Sequence, residues 1–339
     1  MIAETALPKA QKYDDNLLRN LGLVGVLVIL VIIGIVTRPE LYSDPSWVRN
    51  NILIILQQAS GIGVVTVGMT FVIIGGGIDL SVGAIIALAG VWATTLATQS
   101  YGAGGMIFTA LAVGVAVGVV NGALIAYGKL VPFIATLAML VSARGLAAQI
   151  SGKQTQVSAN DTINSIATTK LIGIPLLVWI LAVVVAAGWV LLNRTTFGRR
   201  TVAVGGNPEA ARLAGINVKR HTLLLYVLSG LCCGIGAIML TSQATSAQAA
   251  MANLYELDAI AAAIIGGTLL SGGRGTIVGA LFGVLVFSTI TNLFAINNLA
   301  TEVQNMVKGG IIVAAVLLQQ FRYRSLTHLL RRRNDPDKP

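Results

Sequence analysis

The sequence contains few charged residues and few residues of the types that build catalytic or metal centres. Lys, Arg, Asp and Glu make up 11% of its 339 residues, against roughly 25% in a typical soluble domain. This scarcity excludes a soluble enzyme, a disordered chain and a nucleic-acid binder with a separate basic domain. The 2 cysteines exclude a disulfide framework and a cysteine-rich metal site, and the 2 histidines add little metal-binding capacity.

Long hydrophobic runs make up most of the chain, since 55% of the residues are hydrophobic. A bilayer core needs about 20 apolar residues per helix, and ten segments approach that length. The sequence therefore predicts an all-α integral membrane protein with about ten transmembrane helices. The predicted spans are Leu21–Thr37, Ser60–Gly75, Leu80–Ala97, Met106–Tyr127, Pro132–Ile150, Ile174–Leu192, Thr222–Leu240, Leu257–Leu270, Thr276–Ile296 and Val303–Gln319.

The distribution of basic residues orients these spans. With both termini on one side, the segments on that side hold 17 Lys and Arg residues and those on the other side hold 4. Because cytoplasmic segments are enriched in Lys and Arg, both termini are predicted to be cytoplasmic. The predicted organisation is an N-terminal tail (1–20), a transmembrane domain (21–320) with a cytoplasmic loop (193–221), and a basic tail (321–339). The net charge of +10 is then a signal of topology and not of nucleic-acid binding.

Two sequence echoes suggest an inverted repeat. Asp79 and Asp258 each open a similar apolar run, in the third and the eighth predicted span. Spans that are five apart run in opposite directions, and inverted repeats are typical of transporters. The fourth and ninth spans also share glycines at intervals of four, which are predicted to let helices pack closely: Gly114, Gly118, Gly122, Gly275, Gly279 and Gly283.

A polar, glycine-rich stretch at 75–83 separates two predicted spans. Three consecutive glycines end a helix, and Asp79 follows at a position where an N-cap is expected. The alternative is that this unwound turn lines a cavity at membrane depth. The stretch lacks the Gly-Lys-Ser/Thr ending of a phosphate-binding loop, so any ATP is expected to be hydrolysed by a partner.

A short helix is predicted in the long cytoplasmic loop. Asn207 is its N-cap, Pro208 takes the first position and Gly215 ends it. An isolated helix of about two turns is marginal in water. We therefore expect it to dock, either into a groove on another protein or onto its own membrane domain.

Three motifs resemble those of the ribose-type monosaccharide permeases of bacterial ABC importers. They are the Glu-Ala-Ala sequence followed by three residues and Gly at 209–215, Gly-Gly-Ile-Asp-Leu-Ser-Val-Gly at 76–83, and Val-Pro-Phe-Ile-Ala-Thr-Leu at 131–137. The resemblance covers residues 45–320 approximately. It implies a permease of the vitamin-B12-importer-like (type II) architecture in a bacterial cytoplasmic membrane.

The resemblance also implies the partners and the absence of catalysis in this chain. A second permease, a cytoplasmic ABC ATPase and an extracytoplasmic sugar-binding protein are expected, together with membrane lipid but not nucleic acid. ATP and Mg²⁺ are expected on the ATPase, so this chain has no cofactor, metal or catalytic residue of its own. Monosaccharide is expected to pass inward by alternating access that ATP hydrolysis in the partner drives.

Two sets of residues are candidates for function. The first is expected to contact the ATPase: Asn207, Glu209, Ala210, Ala211, Arg212 and Gly215. The second comprises polar residues in or near apolar spans, which line the translocation path or instead join helices by hydrogen bonds: Gln57, Gln58, Asp79, Ser81, Asn121, Thr136 and Asn292. Arg144 and Lys308 are interpreted as structural.

Other functions of a polytopic membrane protein remain open at this point. An ABC permease for an amino acid, a nucleoside or a signalling sugar would use the same mechanism. An ion-coupled secondary transporter would also have inverted repeats and broken helices, but it would be expected to carry paired carboxylates or a proton relay in mid-membrane. An intramembrane enzyme would need a nucleophile or a metal cluster, for which the sequence has few residues.

Overall fold

The computed structural model of the chain describes residues 11–314 and residue 317, and nearly all of that length is helical. The helices are α1 (Gln11–Thr37), α2 (Pro39–Tyr42), α3 (Pro45–Ile74), α4 (Val82–Ala93), α5 (Leu96–Gln99), α6 (Gly102–Ala126), α7 (Pro132–Ile150), α8 (Asp161–Thr168), α9 (Leu176–Arg194), α10 (Thr196–Gly206), α11 (Pro208–Leu213), α12 (Val218–Ala244), α13 (Tyr255–Ile265) and α14 (Ile277–Ile296). Residues 301–314 are helical as well. The strands are β1 (Gln156–Val157), β2 (Lys170–Leu171), β3 (Ile174–Pro175) and β4 (Ser246–Ala247).

Seven helices within the described residues are long and apolar enough to cross a membrane: α1, α3, α6, α7, α9, α12 and α14. Two of the ten predicted spans, Leu80–Ala97 and Leu257–Leu270, contain shorter helices. α4 has 12 residues and α13 has 11, which is about 16–18 Å at 1.5 Å per residue against a core of about 30 Å. The tenth predicted span, Val303–Gln319, extends beyond the described residues.

The bundle has two distinct ends. At one end, β1 pairs with β4, β2 pairs with β3 in a hairpin, and α8 lies between β1 and this hairpin in sequence. Gln99 joins this end by donating from Nε2 to the carbonyl oxygen of Val157 at 3.0 Å. The other end carries α10 and α11, and we call it the α11 end.

Helix α12 lies at the centre of the bundle, where it packs against α6, α3 and α4. The α6–α12 contact is a backbone contact, because a methyl group added at Gly114 or Gly118 would clash with the carbonyl oxygen of Gly230 or Tyr226. Gly122 meets Leu223 of α12 in the same way. These contacts allow two helices to approach without intervening side chains.

The three glycines predicted in the ninth span, Gly275, Gly279 and Gly283, lie in different surroundings. Gly279 and Gly283 lie on α14. Gly279 contacts the backbone of Gly266, just beyond α13, and Gly283 contacts that of Ala262, in the last turn of α13. Gly275 was expected inside the ninth span, but it precedes α14, whose N-cap is Thr276. A methyl group there would meet Thr268 and Ile74.

Candidate functional site

Helix α11 is defined by the capping groups that the sequence indicates. The Oδ1 atom of Asn207 accepts from the backbone N–H of Glu209 at 3.1 Å and of Ala210 at 3.0 Å. Pro208 occupies the first helical position, where its missing N–H costs nothing. Gly215 has φ +82° just after the helix, a conformation that glycine adopts without strain.

The surface of α11 combines small, apolar and charged side chains. Ala211 is buried, whereas Ala210, Arg212 and Leu213 are exposed, with Leu213 at 74%. Arg212 Nη2 lies 2.6 Å from Glu209 Oε1, and this hydrogen bond together with the positive charge lowers the pKa of Glu209. Ala210 and Leu213 together give this six-residue helix an exposed, small and apolar surface.

Backbone contacts connect the end of α10, which leads into α11, to two loops at the same end of the bundle. Gly205, three residues before α11, packs against Ile74 at the end of α3. Gly273 donates its N–H to the carbonyl oxygen of Ile74 at 2.8 Å, and Gly272 lies against Gly76 and Gly205. A methyl group at Gly205 or Gly272 would clash with backbone atoms. A cleft of about 410 Å³ lies beside this junction.

Asp79 is fully bonded within the protein. Its Oδ1 accepts from the N–H of Ser81 at 3.0 Å and from Ser81 Oγ at 2.6 Å, and its Oδ2 accepts from Ser229 Oγ at 3.0 Å. Asn121 Nδ2 donates to Ser81 Oγ at 2.8 Å. The N-cap of α4 is Ser81, so the expected N-cap role of Asp79 was wrong by two residues, because the carboxylate turns to the Ser81 amide before the helix starts.

The remaining polar candidates for the path are separated from this cluster or bonded locally. Thr136 Oγ1 donates to the carbonyl oxygen of Pro132 at 2.9 Å, and Gln57 Nε2 donates to that of Ala167 at 3.2 Å. Gln58 is exposed, and Asn292 Nδ2 donates to Asn51 Oδ1 at 2.9 Å. The structure thus brings together Asp79, Ser81 and Asn121, and Thr136 lies beside them, because its Oγ1 is 3.4 Å from the carbonyl oxygen of Ile78. A path along these residues stays a prediction.

A second polar cluster lies where α4 and α13 begin. Arg144 Nη1 donates to the carbonyl oxygens of Ala249 at 2.7 Å and Met251 at 3.2 Å. Glu256, in the first turn of α13, is 7% exposed. The interpretation of the sequence did not single out Glu256. The signal that could have indicated it is an acidic residue at the start of a short apolar run, together with an arginine in another predicted span.

A model of the family described as "Branched-chain amino acid transport system / permease component" matches residues 51–316. The ribose import permease protein RbsC of Bacillus subtilis is 40% identical over 310 residues, which is 90% of this chain and 94% of that protein. RbsC of Escherichia coli K12 is 36% identical over 89% of this chain and 94% of its own length. The L-arabinose ABC transporter permease protein AraH of Azospirillum brasilense is 35% identical, over 91% of this chain and 89% of its own length.

No solved structure matches the chain significantly. The family model covers well over half of the sequence, and the curated relatives match it along almost their whole length. The chain therefore belongs to the family of branched-chain amino acid transport system permease components.

Proposed function

We propose that this chain is the membrane-spanning subunit of an ABC importer and carries a monosaccharide of the ribose kind into the cell. The observation that carries the proposal is the 36–40% identity to ribose import permeases over about nine tenths of the chain. The long apolar helices suit a membrane-embedded pathway. The chain is a transport subunit and not an enzyme.

Energy reaches the chain through α11, which docks on a separate ABC ATPase that binds ATP and Mg²⁺. Exposed Leu213 and small Ala210 support this assignment, because they offer an apolar surface for a groove on a partner. ATP-driven movement of the ATPase displaces α11, and the helices then alternate between outward-open and inward-open arrangements. Sugar moves without any covalent step.

The importer contains two permeases, the ATPase and an extracytoplasmic sugar-binding protein. The binding protein meets the end that carries α8 and the β2–β3 hairpin, where Ile172 is 83% exposed at the hairpin turn. Both termini lie in the cytoplasm of a bacterium. The membrane domain has ten transmembrane helices in a vitamin-B12-importer-like arrangement. The excess of basic residues on the α11 side supports this orientation.

The test is uptake of radiolabelled D-ribose into proteoliposomes that contain the permease, its ATPase and internal ATP, with sugar-loaded binding protein outside. We expect ATP-dependent accumulation that persists when the proton gradient is collapsed. Accumulation without ATP hydrolysis, or its loss on proton-gradient collapse, would support a secondary transporter instead.

The docking of α11 is tested by Ala210→Trp, with Ala210→Ser as the matched control for size. We expect the tryptophan to abolish uptake by blocking the groove and the serine to retain it. Normal ATP-coupled uptake by Ala210→Trp contradicts the docking assignment.

Other solutes remain candidates, because relatives at 33–34% identity are named galactofuranose and galactose/methyl galactoside permeases. L-arabinose and D-galactose therefore belong in the uptake panel, together with an amino acid and a nucleoside. Preferential uptake of a solute outside the sugars would replace the monosaccharide assignment.

A further inference from the structure

Two short helices begin near mid-depth and leave in opposite directions. Helix α13 ends at Gly266, beside the Gly279 backbone and the α11 end, and its 11 residues put its start about 16 Å from that end. Helix α4 runs toward Gln99 at the other end, and its 12 residues put its start about 18 Å from there. Both starts fall near the middle of a core of about 30 Å.

The two helix starts meet at Gly83, in the first turn of α4. A methyl group added to Gly83 would clash with the carbonyl oxygen of Ala252, which precedes α13. It would also lie 2.7 Å from Glu256 Oε2 and 3.3 Å from Arg144 Nη2. One donor and two acceptors therefore converge on one face of a glycine.

Two of the converging atoms have no hydrogen-bond partner among the described residues. Glu256 Oε2 and Arg144 Nη2 are both buried and unbonded, although they lie close to the same point. A buried polar atom without a partner costs about 1–3 kcal/mol, and more when the group is charged. Such a cost is retained where a ligand satisfies the atoms.

The chemistry of the cluster matches a hydroxyl-bearing, uncharged ligand. The guanidinium donates to a hydroxyl oxygen, and the carboxylate accepts the hydroxyl hydrogen, so adjacent hydroxyls of a sugar satisfy both. The opposite charges of Arg144 and Glu256 offset one another, which suits a neutral ligand better than an ion. Arg144 is partly buried as a whole, and its Nη2 atom is buried.

We propose that Gly83, Arg144 and Glu256 form a hydroxyl-binding position that holds the sugar near mid-membrane during translocation. The proposal rests on the function proposed above and adds a location and a binding chemistry to it. Asp79 has no such role, since all its contacts are made within the protein.

The neighbouring acid Asp258 provides an internal contrast. It lies two residues further along α13, and its Oδ2 is 3.2 Å from Lys308 Nζ. Glu256 and Asp258 therefore share a helix, but Asp258 is paired with a lysine, whereas Glu256 keeps a buried oxygen without a partner among the described residues.

The experiment is a cycle between a protein variant and a sugar variant in the reconstituted importer. D-ribose, L-arabinose and D-galactose are the parent sugars, and monodeoxy analogues of whichever is transported complete the cycle. Each sugar is supplied at saturating loaded binding protein, so that binding outside does not limit the rate. Wild-type uptake of a parent sugar tests the proposed function by itself.

We expect Glu256→Ala to lower uptake of the parent sugar by about 10- to 100-fold, the range for a lost hydrogen bond to a charged group. The thermal midpoint is expected to be unchanged. The analogue that lacks the hydroxyl bound by Glu256 should be transported equally slowly by the wild type and by Glu256→Ala, because in both cases that hydrogen bond is already absent. Glu302→Gln, at an exposed site in the helix of residues 301–314, is the control for loss of a carboxylate.

Equal losses for the parent and every analogue would overturn the proposal and show a structural ion pair bridged by water. Retained uptake by Glu256→Ala would overturn it as well. If Glu256→Ala does not fold, Glu256→Gln decides, because its amide oxygen still accepts a hydrogen bond. The same cycle is then expected with a smaller loss, and a loss independent of the analogue rejects the proposal.

Discussion

Helices α4 and α13 are both short and apolar, and each has a buried acidic residue near its start, but the two carboxylates differ in their hydrogen-bond partners. At α4, Asp79 accepts three hydrogen bonds from Ser81 and Ser229 and is 1% exposed. At α13, Glu256 is also buried but keeps Oε2 unbonded. The difference shows that burial of a carboxylate does not by itself separate a structural group from one available to a ligand; its hydrogen-bond partners do.

The largest expected effect comes from removing the bonded carboxylate. Asp79→Ala leaves three buried donors without an acceptor, which costs about 3–9 kcal/mol in total at about 1–3 kcal/mol for each. We expect loss of folded protein, or a strongly lowered thermal midpoint in detergent, while Glu256→Ala melts like the wild type. Equal midpoints for the two alanine variants would remove the distinction between the two helix starts.

A second prediction concerns the ion pair further along α13. The side chains of Lys308 and Asp258 are 18% and 19% exposed, so Lys308→Met leaves a mostly buried carboxylate unpaired. A loss of about 3 kcal/mol is expected for breaking such a pair. The double variant Lys308→Met/Asp258→Asn should recover much of this loss in a thermal melt. A double variant that is less stable than either single variant would contradict the pairing.

The anchoring of α13 on α14 predicts a moderate effect. Gly266→Ala places a methyl group against the backbone of Gly279, and overpacking of this kind costs about 1–3 kcal/mol. Gly104→Ala, on α6, is the matched control, because nothing lies within 4 Å of its added methyl group. The thermal midpoint is expected to fall for Gly266→Ala only.

The smallest effect is expected on α11. Because Arg212 lowers the pKa of Glu209, any stabilisation by the pair is present above the ordinary carboxyl pKa of about 4.3. It is lost as the pH falls through the lowered pKa of the folded state. Since the pair is exposed, Glu209→Gln should leave the melting curve unchanged at pH 7. A clear drop in the midpoint would mean that α11 is held by this pair.

Local patterns in the sequence were sufficient for α11 and for most membrane spans. Asn207, Pro208 and Gly215 act through their nearest neighbours, so their roles follow from the sequence alone. The lengths of α4 and α13 were not predictable in the same way, because apolar residues continue past both helices. Hydropathy indicates which residues are buried, but it does not distinguish a buried helix from a buried loop. Ser81 and Thr268 are buried outside the helices, and the composition around them did not reveal this.

The ligand-binding cluster depends on contacts that the sequence does not display. The three residues belong to different helices: Gly83 to α4, Arg144 to α7 and Glu256 to α13. They meet only because these helices pack against one another in the fold. Arg144 was interpreted as structural, and two of its hydrogen bonds, to Ala249 and Met251, are of that kind. Only the free Nη2 atom points to a further role.

The glycine junction at the α11 end has a mechanical consequence. The chain segments before α4, before α11 and after α13 touch one another through main-chain atoms at Gly76, Gly205 and Gly272. Because these contacts are made by main-chain atoms, a displacement of α11 is expected to reach both the segment that leads into α4 and the segment that follows α13. If α11 receives the movement of the ATPase as proposed, both short helices are expected to move together around the proposed sugar position.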